Sequence, residues 1–193
     1  METQAVIDGR NYCGGIAGVS FSVPNDGEFL VTVSSRSSES VLSVWEWTSS
    51  TRLGEVTMDM SGVSGVTFHP FDSNLLVTIG VGSHLTFWNR KKDGFFSRAD
   101  LAEATPGLVY LCLAFLESGD VVTGDNEGNL NSYSVSADGD YYRSFSVPAH
   151  TKGVSSILVL SQGTLLTSGS RDRRVTAWDS HREFVMIGKG LTA

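Results

Sequence analysis

His150, Ser168 and Asp172 fall within one short stretch of this chain and have the residue types of a nucleophilic hydrolase triad. Such catalysis needs an exposed, activated serine and an oxyanion hole, usually on a strained turn. Ser168 instead falls in a β-strand pattern, and no Gly-x-Ser-x-Gly elbow surrounds it. The trio therefore reads as structural, with an imidazole satisfied at both nitrogens between a carboxylate and a hydroxyl. Other chemistry finds less support. His69, His84, His150 and His181 lack the close spacings of a zinc site, and Cys13 and Cys112 do not group with them. Asp125-Asn126-Glu127-Gly128-Asn129 resembles a calcium loop faintly, but Leu130 and Ser136 stand where a glycine and a glutamate are needed. It reads as a turn. Gly80-Val81-Gly82 and Gly188-Lys189-Gly190 lack the setting of a phosphate-binding loop. The expectation is a chain that is not an enzyme, without metal or cofactor.

The elements that position these residues are repeated. Trp45, Trp88, Tyr133 and Trp178 recur at intervals of 43, 45 and 45 residues. A period of about 40–45 residues ending in an aromatic marks a β-propeller, with one four-stranded blade per unit. Upstream of each aromatic come two short apolar strands, as in Val66-Thr67-Phe68 and Leu75-Leu76-Val77. Asn25-Asp26-Gly27, Phe71-Asp72-Ser73-Asn74, Glu117-Ser118-Gly119 and Ser161-Gln162-Gly163 supply the turns. The fold class is all-β: four blades of four antiparallel strands, as part of a larger propeller. An N-terminal segment, 1–14, precedes the blades of 15–193, with approximate units 15–58, 59–103, 104–147 and 148–193. Glu183-Phe184-Val185-Met186-Ile187 is either the outer strand of the last blade or the first strand of another.

Net charge is −7, with 14 Lys and Arg against 21 Asp and Glu. So acidic a chain is poorly suited to nucleic acid. The longest uncharged apolar stretch, Leu108 to Leu116, is too short to span a bilayer, so no membrane partner is expected. Two cysteines 99 residues apart make no disulfide framework, and the N-terminus lacks the regions of a signal peptide. A soluble, cytoplasmic protein is the expectation. Local cations nevertheless cluster at Arg90-Lys91-Lys92 and at Arg171, Arg173 and Arg174. These loops are the candidate partner contacts, able to hold an acidic tail or a phosphate.

Leu166 to Asp179, ending Val175-Thr176-Ala177-Trp178-Asp179, resembles the second half of a WD repeat, with His150 at the histidine position upstream. In that family the counterparts of His150, Ser168, Asp172 and Trp178 form a hydrogen-bonded chain across one blade. The three earlier units, carrying Trp45, Trp88 and Tyr133, show no obvious histidine–aspartate pair. They are expected to be held by strand pairing and apolar packing alone.

Their wording is more specific. Val41-Leu42-Ser43-Val44-Trp45-Glu46-Trp47, Phe68-His69-Pro70-Phe71-Asp72, Ser83-His84-Leu85-Thr86-Phe87-Trp88 and Gly119-Asp120-Val121-Val122-Thr123-Gly124-Asp125 resemble, in this order, the echinoderm microtubule-associated protein-like family. The resemblance runs from about Gly15 to about Asp179. It implies the later blades of the first of two joined propellers, binding to tubulin or microtubules, and a cytoskeleton-associated adaptor. The other reading is a general WD-repeat scaffold that docks some other protein in a multi-subunit complex through its loops. Four units are fewer than the resembled ring contains, which implies a fragment or short isoform in preference to a closed ring of four or a paired ring of eight. Open blade edges invite self-association.

Overall fold

The computed structural model describes residues 7, 15–35, 38–58, 62–82, 84–101, 107–182 and 184–190. Cys13, Ser83, Glu183 and, apart from Ile7, the N-terminal segment lie outside them. The described residues form two structural units, each built from two four-stranded antiparallel sheets.

The first unit begins with β1 (Gly15–Phe21), β2 (Phe29–Ser35), β3 (Ser40–Glu46) and β4 (Thr51–Met58), in that spatial order. Its second sheet is β5 (Val63–Phe68), β6 (Leu75–Gly80), β7 (Leu85–Arg90) and β8 (Phe96–Asp100). The second unit contains β9 (Tyr110–Phe115), β10 (Val121–Asp125), β11 (Asn129–Val135) and β12 (Tyr141–Pro148). It ends with β13 (Val154–Val159), β14 (Thr164–Gly169), β15 (Val175–Asp179) and β16 (Val185–Gly190). Since β16 pairs with β15, the segment after Glu183 is the outer strand of the last sheet.

Each sheet is a meander whose tight turns carry residues that tolerate positive φ. Asp26 and Gly27 lie at φ 52° and 79°, and Gln162 and Gly163 at 65° and 73°. Burial follows strand position. Every residue of β10 is buried, while β12 has only half-buried and exposed residues, as an outer edge does. Each first strand also carries a bulge at the same place, with Ala17, Ser64, Leu111 and Ser155 as the extra residues. The period in sequence is thus a period in backbone irregularity too.

Packing within each unit has a direction. Trp88 and Leu76 lie on one face of their sheet and pack on Val31, Val33, Leu42 and Val44 of the sheet before. In the second unit Trp178 and Leu165 pack the same way on Val122 and Leu130. In each unit the aromatic face of the later sheet meets the plain face of the earlier one. That face of the first sheet, Phe21-Leu30-Trp45 in register, leaves Phe21 51% exposed, and the plain face of the last sheet leaves Leu158 55% exposed.

Candidate functional site

The last sheet holds the polar chain, with one correction to its membership. His150 precedes β13, and its side chain is wholly buried. Its Nδ1 lies 2.8 Å from Asp172 Oδ2. Its Nε2 lies 2.8 Å from Thr167 Oγ1, not from Ser168. Trp178 Nε1 donates to the same Thr167 oxygen at 2.9 Å. Strand alternation explains the difference. Thr167 and Trp178 share the buried face of the sheet, whereas Ser168 points to the other, where it hydrogen-bonds Ser155 Oγ at 2.9 Å. His150, Asp172 and Trp178 therefore meet as the sequence suggests, and Ser168 does not join them.

The carboxylate fixes one of the ring's protons. An ionised carboxylate only accepts, so Nδ1 of His150 carries hydrogen and donates to Asp172. Nε2 and the Thr167 hydroxyl share the second bond, and the Thr167 oxygen accepts from Trp178. Desolvation pushes the Asp172 carboxyl up, but the His150 hydrogen bond, the Thr151 and Arg174 N–H groups and the His150 charge together bring it below the usual carboxylate value. Gly169 leaves room for this pair: a Cβ there would lie 2.0 Å from Asp172 Oδ1 and 2.6 Å from His150 Nδ1. Thr167–His150–Asp172 has the connectivity of a triad. Thr167 is 1% exposed and its hydroxyl is already bound on both sides, which gives a substrate no approach.

The earlier sheets are not held by apolar packing alone. Trp45 Nε1 donates to Thr32 Oγ1 at 3.1 Å, and Trp88 Nε1 to Thr78 Oγ1 at 2.8 Å, both buried. The indole–threonine contact of the polar chain thus recurs in both of these sheets. In the third sheet Tyr133 replaces the indole, and its hydroxyl lies 2.7 Å from that of Tyr110. Burial pushes both phenols up. The calcium-like segment is a turn closed by Asp125, which is 1% exposed. Its carboxylate accepts the N–H groups of Glu127, Gly128 and Asn129 and the side-chain amides of Asn129 and Asn131. Among the described residues no group of three metal-ligating side chains exists.

Cys112, in β9, donates to the Val154 carbonyl at 3.3 Å, and burial pushes its thiol up to about 12. In a Cys13→Ser variant, reaction of the remaining thiol with a disulfide reagent at neutral pH is expected to be more than about a hundredfold slower than that of free cysteine. Urea should restore the rate. Fast labelling of the folded variant would contradict the burial.

The candidate contact residues take different positions. Arg90 is not in a loop: it ends β7, and its guanidinium stands 5.1 Å from the centre of the Phe29 ring. Desolvation lowers its pKa, against the pull of Asp72. Lys91 and Lys92 are exposed in the turn between β7 and β8. Arg171, Arg173 and Arg174 are exposed in the turn between β14 and β15. The two clusters occupy opposite ends of the blade pattern, because one follows the third strand and the other precedes it.

That turn is tied to the crossing that enters the last sheet. Ser170 N donates to Gly153 O at 2.8 Å, Ser170 Oγ to Lys152 O at 3.2 Å, and Thr151 N to Asp172 Oδ2 at 3.3 Å. The crossing is itself fixed to the preceding turn. Gly128 O accepts from Ala149 N and His150 N, each at 2.9 Å, and Asn126 O accepts from Gly153 N at 3.1 Å. Gly128 has φ 100°, and a Cβ there would lie 2.1 Å from His150 O.

Four-stranded meanders, each carrying a buried contact between its repeat aromatic and a hydroxyl, define part of a β-propeller of WD-like repeats. A solved structure agrees: the β-propeller domain of Cps50 (Swd1) from Myceliophteria thermophila aligns with TM-score 0.71 at 16% identity, over 93% of this chain and 59% of that one. At that identity the likeness is one of fold. The sequence model of the echinoderm microtubule-associated protein first β-propeller matches residues 1–189, and the chain belongs to that family. Echinoderm microtubule-associated protein-like 2 of Rattus norvegicus is 40% identical over 163 residues, covering 84% of this chain and 24% of that protein. The 77 kDa echinoderm microtubule-associated protein of Strongylocentrotus purpuratus is 33% identical over 184 residues, covering 92% of this chain and 26% of that protein. The chain thus spans about a quarter of the length of these relatives.

Proposed function

We propose that this chain is a non-enzymatic microtubule-associated module that binds tubulin and serves as an adaptor at the cytoplasmic cytoskeleton. The observation that carries this reading is the family match along residues 1–189 to proteins named for their association with microtubules. The architecture suits it. A blade buries its aromatic face against a neighbour and leaves its turns free, so recognition falls to the turns. Lys91, Lys92, Arg171, Arg173 and Arg174 supply positive charge there within a chain of net charge −7. Sedimentation velocity of the chain mixed with soluble tubulin tests the proposal. Tubulin's boundary is expected to shift with added chain. A boundary that stays unmoved while the chain sediments as a compact species would overturn it.

A further inference from the structure

We infer that Lys152, Arg171, Arg173 and Arg174 form a docking site for an extended, carboxylate-rich peptide segment. The inference rests on the loops being the contact surface, but not on tubulin being the partner. The four cations are exposed on two adjoining turns. No hydrogen bond or ion pair engages their side chains among the described residues. One acid lies among them in sequence, Asp172, and the fold has removed it from competition. Asp172 Oδ2 is bound by His150 Nδ1 and Thr151 N, and Oδ1 by Arg174 N. Its side chain is 8% exposed. The motif Arg-Asp-Arg-Arg thereby turns its acid inward to the imidazole and its three guanidinium groups outward.

The same hydrogen bonds bear on the kind of anion. A compact phosphate is best held by converging backbone N–H groups. Here the N–H groups of Gly169, Ser170, Thr151, Gly153 and Arg174 are already committed within the fold. The turns present separate side-chain cations on long stems, suited to several carboxylates spaced along a chain. A long nucleic acid would carry its charge beyond this patch onto a protein of net charge −7, and would be opposed there. The turns themselves are held by main-chain bonds, so the cations stand on a prearranged platform and less ordering entropy opposes binding.

The test is fluorescence anisotropy with a labelled octaglutamate peptide and, in parallel, a labelled single-stranded oligonucleotide of equal charge. Parent chain is expected to bind the peptide with affinity that falls as salt rises. The quadruple variant Lys152→Glu, Arg171→Glu, Arg173→Glu, Arg174→Glu should weaken it by about tenfold or more, while Arg182→Glu, at an exposed cation outside the site, leaves it near parent. Circular dichroism melting confirms that each variant is folded, as is expected for exposed positions. Equal loss in both variants, no binding by the parent, or tighter binding of the oligonucleotide than of the peptide would overturn the site. The tubulin arm separates the two proposals. Peptide binding without a tubulin boundary shift sinks the proposed function alone, and a tubulin shift indifferent to the quadruple variant, with no peptide binding, sinks this one.

Discussion

Trp178→Ala is expected to destabilise the second structural unit by about 3–5 kcal/mol, the range for emptying a large aromatic site in a core. The indole is 2% exposed and lies in the cluster that joins the last two sheets, with Val122, Leu130, Leu165 and Phe184. The substitution therefore opens a cavity at the contact between two sheets, with stacked Phe145 and Phe184 at 5.3 Å among its surroundings. It also strands the Thr167 oxygen, which loses its donor. Such a loss is a large share of an ordinary domain's stability of about 5–15 kcal/mol. Urea unfolding followed by circular dichroism measures it. Trp178→Phe should fall between parent and alanine, because it restores most of the volume but not the N–H. An alanine variant with the parent's midpoint would show that the indole is not packed as described.

The second large effect separates two neighbouring hydroxyls. Thr167→Val keeps the shape of the side chain but leaves Trp178 Nε1 and His150 Nε2 without their shared partner, both in buried surroundings. Each buried group left unpaired costs about 1–3 kcal/mol. Ser168→Ala, one residue along and on the other face, breaks only the exposed bond to Ser155 Oγ, which keeps its bond to the Ser168 carbonyl, and should cost less than about 1 kcal/mol. Paired urea midpoints decide between them. A Ser168→Ala loss equal to that of Thr167→Val would place the serine in the network after all.

Thr167 was within reach of the sequence, and the route to it is instructive. A threonine recurs at Thr32, Thr78, Thr123 and Thr167, at intervals of 46, 45 and 44 residues, in step with the aromatics. One residue on, the chain has Val33, Ile79, Gly124 and Ser168, with no shared chemistry. The repeat itself thus favours the threonine. A motif read from one unit favours either hydroxyl, because it does not state which face of the strand each one takes. The aromatics and turns were legible for the opposite reason: each fills the same niche in every sheet, so its period survives changes in the residues around it. Arg90 illustrates what was not legible. Its sequence neighbours, Lys91 and Lys92, mark a charged loop, yet β7 extends to Arg90 and brings it over Phe29, a residue 61 positions earlier. A contact of that kind belongs to the stacking of two sheets, which no local pattern encodes. The outward turn of the Arg171–Arg174 cations also depended on a distant residue, His150, drawing Asp172 inward.

The crossing into the last sheet is secured at Gly128, Ala149, His150, Gly153 and Ser170 mainly by carbonyl and amide groups that every residue but proline possesses in full. Heredity can therefore rewrite Thr151, Lys152 and Arg171 letter by letter while the frame beneath them keeps its form. Gly128, with no room for a Cβ, is the fixed point of that frame. New specificities on this edge can arise by single substitutions, without a compensating change in the core.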